Sequence, residues 1–431
     1  MRSFFARIGR SRNPPGRPWN IPAARPAEAE RPRTLALAVQ SATLAAVTAR
    51  RSSPLVLLLA IGALFGCSSD AIDADADAEP SEPEPVELQP VALQEVFRAE
   101  ASVPLSATAL AWNAAVPGEL WVTLRQFPSG KPCTNAVKTG CSALQGVAAV
   151  VADATSDAPE AVLKEDGNSW HFMRRPTAIA WGEGELFASC GEARTDNFED
   201  DEVPYAGPVL WSSSPEIFGV EPLPTQNGTH LDMLHATPWC MGIAHEAKNA
   251  YWAVNGDAGS LDRYDFHMPH QIGGEDHQDG EVHRYAKGEF SRVEGVPSHA
   301  AYDAATGLVY LADTGNSRVL VMDPSTATPG GPIATYEPLH ASGEMVGATV
   351  EDFVPQGTLE QPSGLVLHDG ELIATDHATS QIHVYSLASR KLVASYDTEL
   401  PSGSLAGVSV GPDDKIYLTD MQRGCVYRFE R

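Results

Sequence analysis

Histidines and carboxylates occur in two segments of this 431-residue chain at spacings that suit metal binding. The first segment, His230-Leu-Asp-Met-Leu-His235, offers two imidazoles with Asp232 between them. Neutral imidazole nitrogens are common zinc ligands, and a nearby carboxylate can orient an imidazole or bind the ion itself. This segment predicts a divalent-metal site at His230 and His235, with Asp232 as a further ligand.

The second segment runs from His267 to Glu281 and alternates nitrogen and oxygen donors with glycines that permit tight turns. Such a donor set suits calcium or a transition metal, although the spacing does not match an EF-hand. A solvated acidic loop without a metal is the alternative interpretation. The candidate ligands in this loop are His267, His270, Asp276, His277 and Asp279.

One short apolar strand recurs six times and indicates the elements that must position these residues. Each copy is rich in β-branched or aromatic residues and ends in a polar or small residue, as expected for a buried strand. A second apolar strand precedes each copy, a third follows most of them, and helical periodicity is absent. The six copies are Leu120 to Leu124, Leu186 to Cys190, Tyr251 to Asn255, Val309 to Asp313, Leu372 to Asp376 and Ile416 to Asp420.

The segment Tyr310-Leu-Ala-Asp313-Thr-Gly-Asn316-Ser-Arg318-Val, with Val-Pro-Ser-His-Ala before it, resembles the NHL repeat. The resemblance covers roughly residues 103–431 and is strongest in the last three copies. It implies an all-β fold, a six-bladed β-propeller, in which Asp313, Asn316 and Arg318 have turn and interblade roles. The last copy ends after three strands, so we expect Val91 to Ala99 to supply its outer strand and close the ring.

Propeller connectivity assigns the histidines to two faces. Connections between blades open on one face, which is predicted to carry His230, His235 and His299. Loops between third and fourth strands open on the opposite face, where His267 to His277 should lie. Because His299 stands at an innermost-strand start where other copies have Gly or Ala, we expect it to complete the first metal site at the channel mouth. A packed, hydrogen-bonded role for His299 is the alternative.

Cysteine positions predict two disulfides. Cys133 and Cys141 bracket a short polar segment, whereas Cys190 ends a second strand and Cys240 begins the innermost strand of the next blade. A thiolate metal ligand is the alternative for the latter pair. No CxxC pair is present, so a zinc ribbon or thioredoxin-like site has no support.

Residues before the repeats are typical of an exported protein. Arg50-Arg-Ser-Ser precedes an apolar run that ends in Leu-Phe-Gly-Cys67, which resembles the bacterial lipobox and implies that Cys67 is acylated. The run is shorter than the roughly 20 apolar residues that span a bilayer. The predicted organisation is therefore a leader and signal peptide (1–66), a disordered acidic tether (67–90) and the propeller (91–431), attached to the membrane only by lipid, on the outer membrane or periplasmic face of the cell envelope.

Net charge argues against nucleic-acid binding. The chain has a formal net charge of −26, and without residues 1–66 it becomes −34, since 20 basic and 54 acidic residues remain. Such a surface repels nucleic acid and anionic lipid. Cations or basic partners would suit it better, although solvation of an exported protein explains the same charge.

Two enzyme families with NHL-like propellers offer models for a reaction. This chain resembles the peptidyl-hydroxyglycine amidating lyases, which hold zinc with histidines at innermost-strand starts, but only His299 occupies such a position here. The Glu, Asn and Asp set of calcium-dependent lactonases is missing. The sequence thus favours a monomeric, envelope-anchored module that binds a small ligand or an envelope protein, with zinc or calcium at the channel mouth. A metal-dependent lyase or hydrolase is the alternative.

Overall fold

The computed structural model of the chain describes residues 86–101, 104–126, 146–195, 206–220 and 227–431. These residues belong to one compact unit, Pro80–Arg431. The lipidation candidate Cys67 and the pair Cys133 and Cys141 lie outside the described residues, as does the predicted leader.

Short strands dominate the described residues, which also contain one short α-helix, α1 (Ser169–Phe172), and two 3-10 turns. In chain order, the strands up to the middle of the sequence are β1 (Leu88–Pro90), β2 (Gln94–Arg98), β3 (Leu105–Trp112), β4 (Leu120–Gln126), β5 (Gly146–Ala152), β6 (Glu160–Lys164), β7 (Pro176–Trp181), β8 (Leu186–Gly191), β9 (Val209–Ser212), β10 (Asp232–Met233), β11 (Cys240–Ala247), β12 (Ala250–Asn255), β13 (Ser260–Asp265) and β14 (Glu281–Tyr285). The remaining strands are β15 (Ala300–Asp303), β16 (Leu308–Asp313), β17 (Arg318–Asp323), β18 (Thr328–Pro329), β19 (Ala341–Val346), β20 (Thr349–Val354), β21 (Pro362–His368), β22 (Glu371–Asp376), β23 (Gln381–Ser386), β24 (Leu392–Asp397), β25 (Leu405–Val410), β26 (Ile416–Asp420) and β27 (Cys425–Phe429).

The strands form six sheets, each of which is one blade of a propeller. Blade 1 has the order β3-β4-β5-β6, and blades 2 to 6 begin with the innermost strands β7, β11, β15, β21 and β25. Each innermost strand contacts those of the two neighbouring blades, and β25 of blade 6 contacts β3 of blade 1. The ring is therefore closed, and the predicted six-bladed β-propeller is confirmed.

Apolar side chains hold neighbouring blades together. Six buried clusters each combine residues of two adjacent blades, because every sheet has two apolar faces that a single blade cannot cover. Close approach of the innermost strands explains the glycines there: a Cβ on Gly242 would lie 2.1 Å from Ser298 O, and one on Gly364 would lie 2.1 Å from Ala406 O. The small residues at this repeat position thus permit blade-to-blade packing.

The N-terminal strand closes the ring as predicted. Strand β2 pairs antiparallel with β27, with Gln94 opposite Arg428 and Arg98 opposite Cys425, and so becomes the outer strand of blade 6. Regular pairing begins slightly before residue 91, since β1 adds a parallel strand to β24 of blade 5. Ring closure therefore joins two distant parts of the chain.

Blade 3 carries an addition that the repeats do not predict. Strand β19 pairs in parallel with β14, and β18 pairs with β19, so this blade has six strands. The added hairpin lies beside the β13–β14 connection and becomes relevant to the site below. Within the ranges that the structure describes, no helix is long and apolar enough to cross a membrane.

The repeat residues have the structural roles that the NHL resemblance implies. The Arg318 guanidinium donates to Asp313 Oδ2 at 2.8 Å and to Asp352 Oδ1 at 2.9 Å, and it also reaches Glu289 O at 2.8 Å. Asn316 Nδ2 donates to both oxygens of Asp313. These contacts join the turn after β16 to the end of blade 3.

Candidate functional site

Two loops that the sequence analysis separated lie together in the structure. The backbone N–H of His270 donates to Leu231 O at 3.0 Å, and that of Gly273 donates to His230 O at 2.9 Å. The predicted separation of these histidines onto two faces is wrong, because residues 232–233 form the outer strand β10 rather than a connection between blades. His230 precedes that strand, so it lies at the same end of the propeller as the β13–β14 loop that carries His270.

Asp232, His270 and His277 converge in this contact between blades 2 and 3. One ligand atom from each of the three lies within 4.8 Å of the other two. The Nδ1–H of His277 donates to Asp232 Oδ1 at 2.8 Å. Two imidazoles and one carboxylate are a common ligand set for zinc and other transition metals.

Two atoms of this trio are buried without a hydrogen-bond partner. They are Asp232 Oδ2 and His270 Nε2. The other nitrogen of His270, Nδ1, lies 2.6 Å from Gln271 O and therefore carries the proton, which leaves a lone pair on Nε2. Since Asp232 is fully buried, its unpaired oxygen loses solvation without compensation. The arrangement has the free acceptors that a cation requires.

Burial shifts the pKa of two members of the trio, His270 and Asp232. It lowers the pKa of His270, so this imidazole is neutral and can bind a metal. Burial also raises the pKa of Asp232, and the hydrogen bond from His277 opposes that shift.

His230 forms a wall of the site. Its ring stacks on Phe172 of α1 with centroids 3.8 Å apart and meets the His270 ring edge to face at 4.9 Å. Its Nδ1–H donates to Asn227 O at 2.8 Å, and burial lowers the pKa of His230 to about 3. His230 lies outside the trio, although it contacts one member of it.

The loop before β10 is held by a buried carboxylate. Asp166 Oδ2 accepts hydrogen bonds from the backbone N–H of Thr229 at 2.9 Å and from Thr229 Oγ1 at 2.6 Å. Gly228 has a φ of +69°, and a Cβ there would lie 2.2 Å from Asp166 Oδ1. This turn places His230 and Asp232 beside the β13–β14 loop.

His235 follows β10 and has a different partner. Its Nδ1 lies 2.9 Å from Glu337 Oε2, and its backbone N–H donates to Glu337 Oε1 at 2.8 Å. Burial alone would raise the pKa of Glu337, but the hydrogen bonds from His235 outweigh burial and lower it. His235 therefore attaches the blade 3 insertion to β10, and its ring centroid is 6.3 Å from that of His277.

The other predicted ligands of the β13–β14 loop stay outside the trio. His267 is partly exposed and lies 3.4 Å from Glu281 and 3.7 Å from Asp265. Asp279 accepts from the backbone N–H of Met268 at 3.0 Å. An open depression adjoins His270, and its lining consists of Met268, Pro269, His270, Asp276, Gln278, Asp279 and His340.

His299 does not join His230 and His235. It lies at the entry to β15, where its Nε2–H donates to Thr177 O of blade 2 at 3.0 Å and its backbone N–H donates to Ser363 O of blade 5 at 2.8 Å. Burial lowers the pKa of His299 to about 4, and the hydrogen bond to Thr177 partly offsets this. The structure places His299 among innermost strands and the trio beside an outermost strand, so the predicted metal site at the channel mouth is not formed.

The disulfide prediction for Cys190 and Cys240 is confirmed. The two residues are bonded, with Cα atoms 5.6 Å apart, and connect β8 of blade 2 to β11 of blade 3. They are therefore not metal ligands. Cys425 is a buried free thiol, and burial raises its pKa to about 11.

Comparisons with known proteins give structural similarity at low sequence identity. No protein-family model matches the chain, and no curated protein matches it in sequence. An auxiliary nutrient binding protein from Bacteroides thetaiotaomicron is 11% identical, with a TM-score of 0.47, over 75% of this chain and 69% of that protein. A similar protein from Bacteroides ovatus is 8% identical, with a TM-score of 0.48, over 80% and 77% of the two chains. Regucalcin, a calcium-binding protein from Agrobacterium tumefaciens, is 13% identical, with a TM-score of 0.44, over 79% and 94%.

Proposed function

We propose that this protein is a binding module whose propeller holds one divalent transition-metal ion between Asp232, His270 and His277. The observation that carries the proposal is the pair of buried, unpartnered acceptors, Asp232 Oδ2 and His270 Nε2, in a group whose ligand atoms lie within 4.8 Å of one another. An unsatisfied buried polar atom costs about 1–3 kcal/mol, so two of them favour an occupant that accepts both lone pairs.

The donor set favours zinc over calcium. Calcium takes six to eight oxygen ligands, whereas this group offers two imidazole nitrogens and one carboxylate. Binding would replace the proton on the ligating nitrogen of His277, and Asp232 would then ligate the metal instead of accepting that proton. Nearby carboxylates of the same loop, Glu275, Asp276 and Asp279, add negative potential that attracts a cation.

A metal-dependent lyase or hydrolase is the second candidate. Catalytic zinc sites use three protein ligands and leave a position for water or substrate. The trio supplies three ligands, and His270 also lines the open depression described above. A substrate could therefore reach a metal bound here.

Zinc binding by the purified mature protein tests the proposal. After chelation and reloading, we expect about one equivalent of zinc by metal analysis. His270→Ala and Asp232→Asn should each lower zinc affinity at least tenfold. His368→Ala is the matched control, since this partly buried histidine lies beside Asp369 on blade 5. A reloaded wild type without zinc, or a His270→Ala variant with unchanged affinity, would refute the site.

Attachment to the cell envelope remains part of the proposed function. The lipobox-like sequence before Cys67 and the acidic segment after it support a lipid-anchored propeller.

Hydrolysis or elimination activity that appears with zinc and disappears in Asp232→Asn would favour the enzyme over the binding module.

A further inference from the structure

Three arginines from distant parts of the chain surround the carboxylate of Glu192. Arg125 Nη1 lies 3.3 Å from Glu192 Oε2, Arg175 Nη2 lies 3.1 Å from the same oxygen, and Arg292 Nη1 lies 2.8 Å from Oε1. The backbone N–H of Gly295 also donates to Oε1 at 2.9 Å. Each carboxylate oxygen therefore accepts two hydrogen bonds.

The positions of these residues place the cluster at one mouth of the channel. Arg125 ends β4 of blade 1, and Glu192 directly follows β8 of blade 2. Arg292 and Gly295 belong to the connection that enters blade 4, and Arg125 Nη2 donates to Gly295 O. Blades 1 and 4 are on opposite sides of a six-membered ring, so such contacts can form only across its centre.

The cluster carries excess positive charge. Three guanidiniums face one carboxylate, which leaves two charges uncompensated within the group. Glu192 is fully buried, and the side chains of Arg125, Arg175 and Arg292 are 13%, 29% and 23% exposed. Burial lowers the pKa of Arg125 despite its ion pair with Glu192, and repulsion by Arg175 acts in the same direction.

The guanidiniums retain N–H groups that could bind a ligand. Among the described residues, Arg175 donates a side-chain hydrogen bond to Glu192 only. Arg125 donates to Glu192 and to Gly295 O. Arg292 stacks on Trp239 at 4.6 Å, which fixes the plane of its guanidinium. Fixed guanidiniums bind carboxylate and phosphate oxygens through paired hydrogen bonds.

We propose that Arg125, Arg175 and Arg292 form a binding site for a small, doubly charged oxyanion at this mouth of the channel. The ligand carries a phosphate or two carboxylates, and its charge matches the excess on the cluster. A chain with a net charge of −26 that concentrates three arginines at one opening attracts anions there and repels them elsewhere. The metal trio uses none of these residues, so the two sites are separate.

Phosphate binding at constant ionic strength tests this site. Inorganic phosphate and, separately, succinate are titrated into the chelator-treated protein by calorimetry, with chloride as the balancing anion. We expect saturable binding of at least one probe and at least tenfold weaker binding by Arg292→Gln. Arg263→Gln is the matched control, because Arg263 is 25% exposed and also pairs with one carboxylate, Glu246, on the same blade. The affinity of the Arg263→Gln variant for the probe should stay within twofold of that of wild type.

A second variant separates binding from a purely structural role. Glu192→Gln removes the competing carboxylate, so the probe should bind more tightly and should raise the melting temperature of this variant more than that of wild type. Absence of saturable binding by both probes in the wild type would overturn the proposal. So would equal affinities of wild type and Arg292→Gln, or a Glu192→Gln variant that neither probe stabilises.

Discussion

Acidification should destabilise the propeller through His299, and the effect can be isolated from other titrating groups. Burial holds the pKa of His299 at about 4, whereas the ordinary value is 6.5. The unfolded chain therefore binds a proton at this position more readily than the folded chain. The stability that His299 contributes is fully present above about pH 6.5 and is lost as pH falls towards 4.

The size of the effect follows from the two pKa values. A difference of one pKa unit corresponds to about 1.4 kcal/mol, so the difference between 6.5 and about 4 would cost about 3.4 kcal/mol once the pH lies below both values. At pH 5 the linkage gives about 2 kcal/mol, since the unfolded histidine is then almost fully protonated and the folded one is mostly neutral. A shift of that size is well within reach of urea unfolding.

His299→Gln provides the comparison. Glutamine can still donate a hydrogen bond to Thr177 O, but it does not titrate. We expect urea unfolding at pH 7.5 and pH 5 to show that the variant loses about 2 kcal/mol less than wild type on acidification. Carboxylates and other histidines, including His230 with its pKa of about 3, titrate in both proteins and cancel in this difference. Parallel losses in the two proteins would refute the assignment of His299 as a buried, neutral channel residue.

Three further predictions concern closure, cross-linking and export. Deleting strand β2 should lower the free energy of unfolding by roughly 3–6 kcal/mol, because it exposes the pockets of Val96 and Phe97, and an unchanged melting curve would contradict the closure role. Replacing Cys190 and Cys240 together by serine should lower the free energy of unfolding by about 4 kcal/mol under oxidising conditions, because the disulfide closes a 50-residue loop. Denaturant unfolding under reducing conditions should show no such difference. Cys67→Ser should abolish detergent partitioning of the expressed protein, whereas a wild type that is already water-soluble with its upstream segment intact would exclude the lipid anchor.

The sequence predicts the fold well because six similar copies of one strand each indicate one blade. Each copy is rich in β-branched or aromatic residues and ends in a polar or small residue, and a blade with two apolar faces must pack against its neighbours. Closure by Val91 to Ala99 follows from counting strands in the last copy. These patterns are local, so the strands of each blade can be predicted from its own sequence with little influence from distant residues.

The site is less predictable because Asp232 lies on a strand that is too short to show a periodic pattern. The two-residue strand β10 has no distinctive pattern, so residues 230–235 read as a connection between blades. Because of this interpretation, the sequence analysis predicted His230 on the wrong face of the propeller. Glu337, which binds His235, comes from an insertion with no counterpart in the other copies and gave no signal in the sequence.

The recurring strand, the number of its copies and the NHL resemblance therefore predicted the all-β class, the six blades and the ring closure, and the repeat positions of Cys190 and Cys240 favoured a disulfide between them. Only the tertiary structure decided that Asp232 meets His270 and His277, and that Arg125, Arg175 and Arg292 meet around Glu192. The physical reason is that strand patterns arise from burial along each blade, where neighbouring residues share one environment. Contacts between side chains of different blades depend instead on the length and path of the irregular loops, and apolar periodicity does not encode that path.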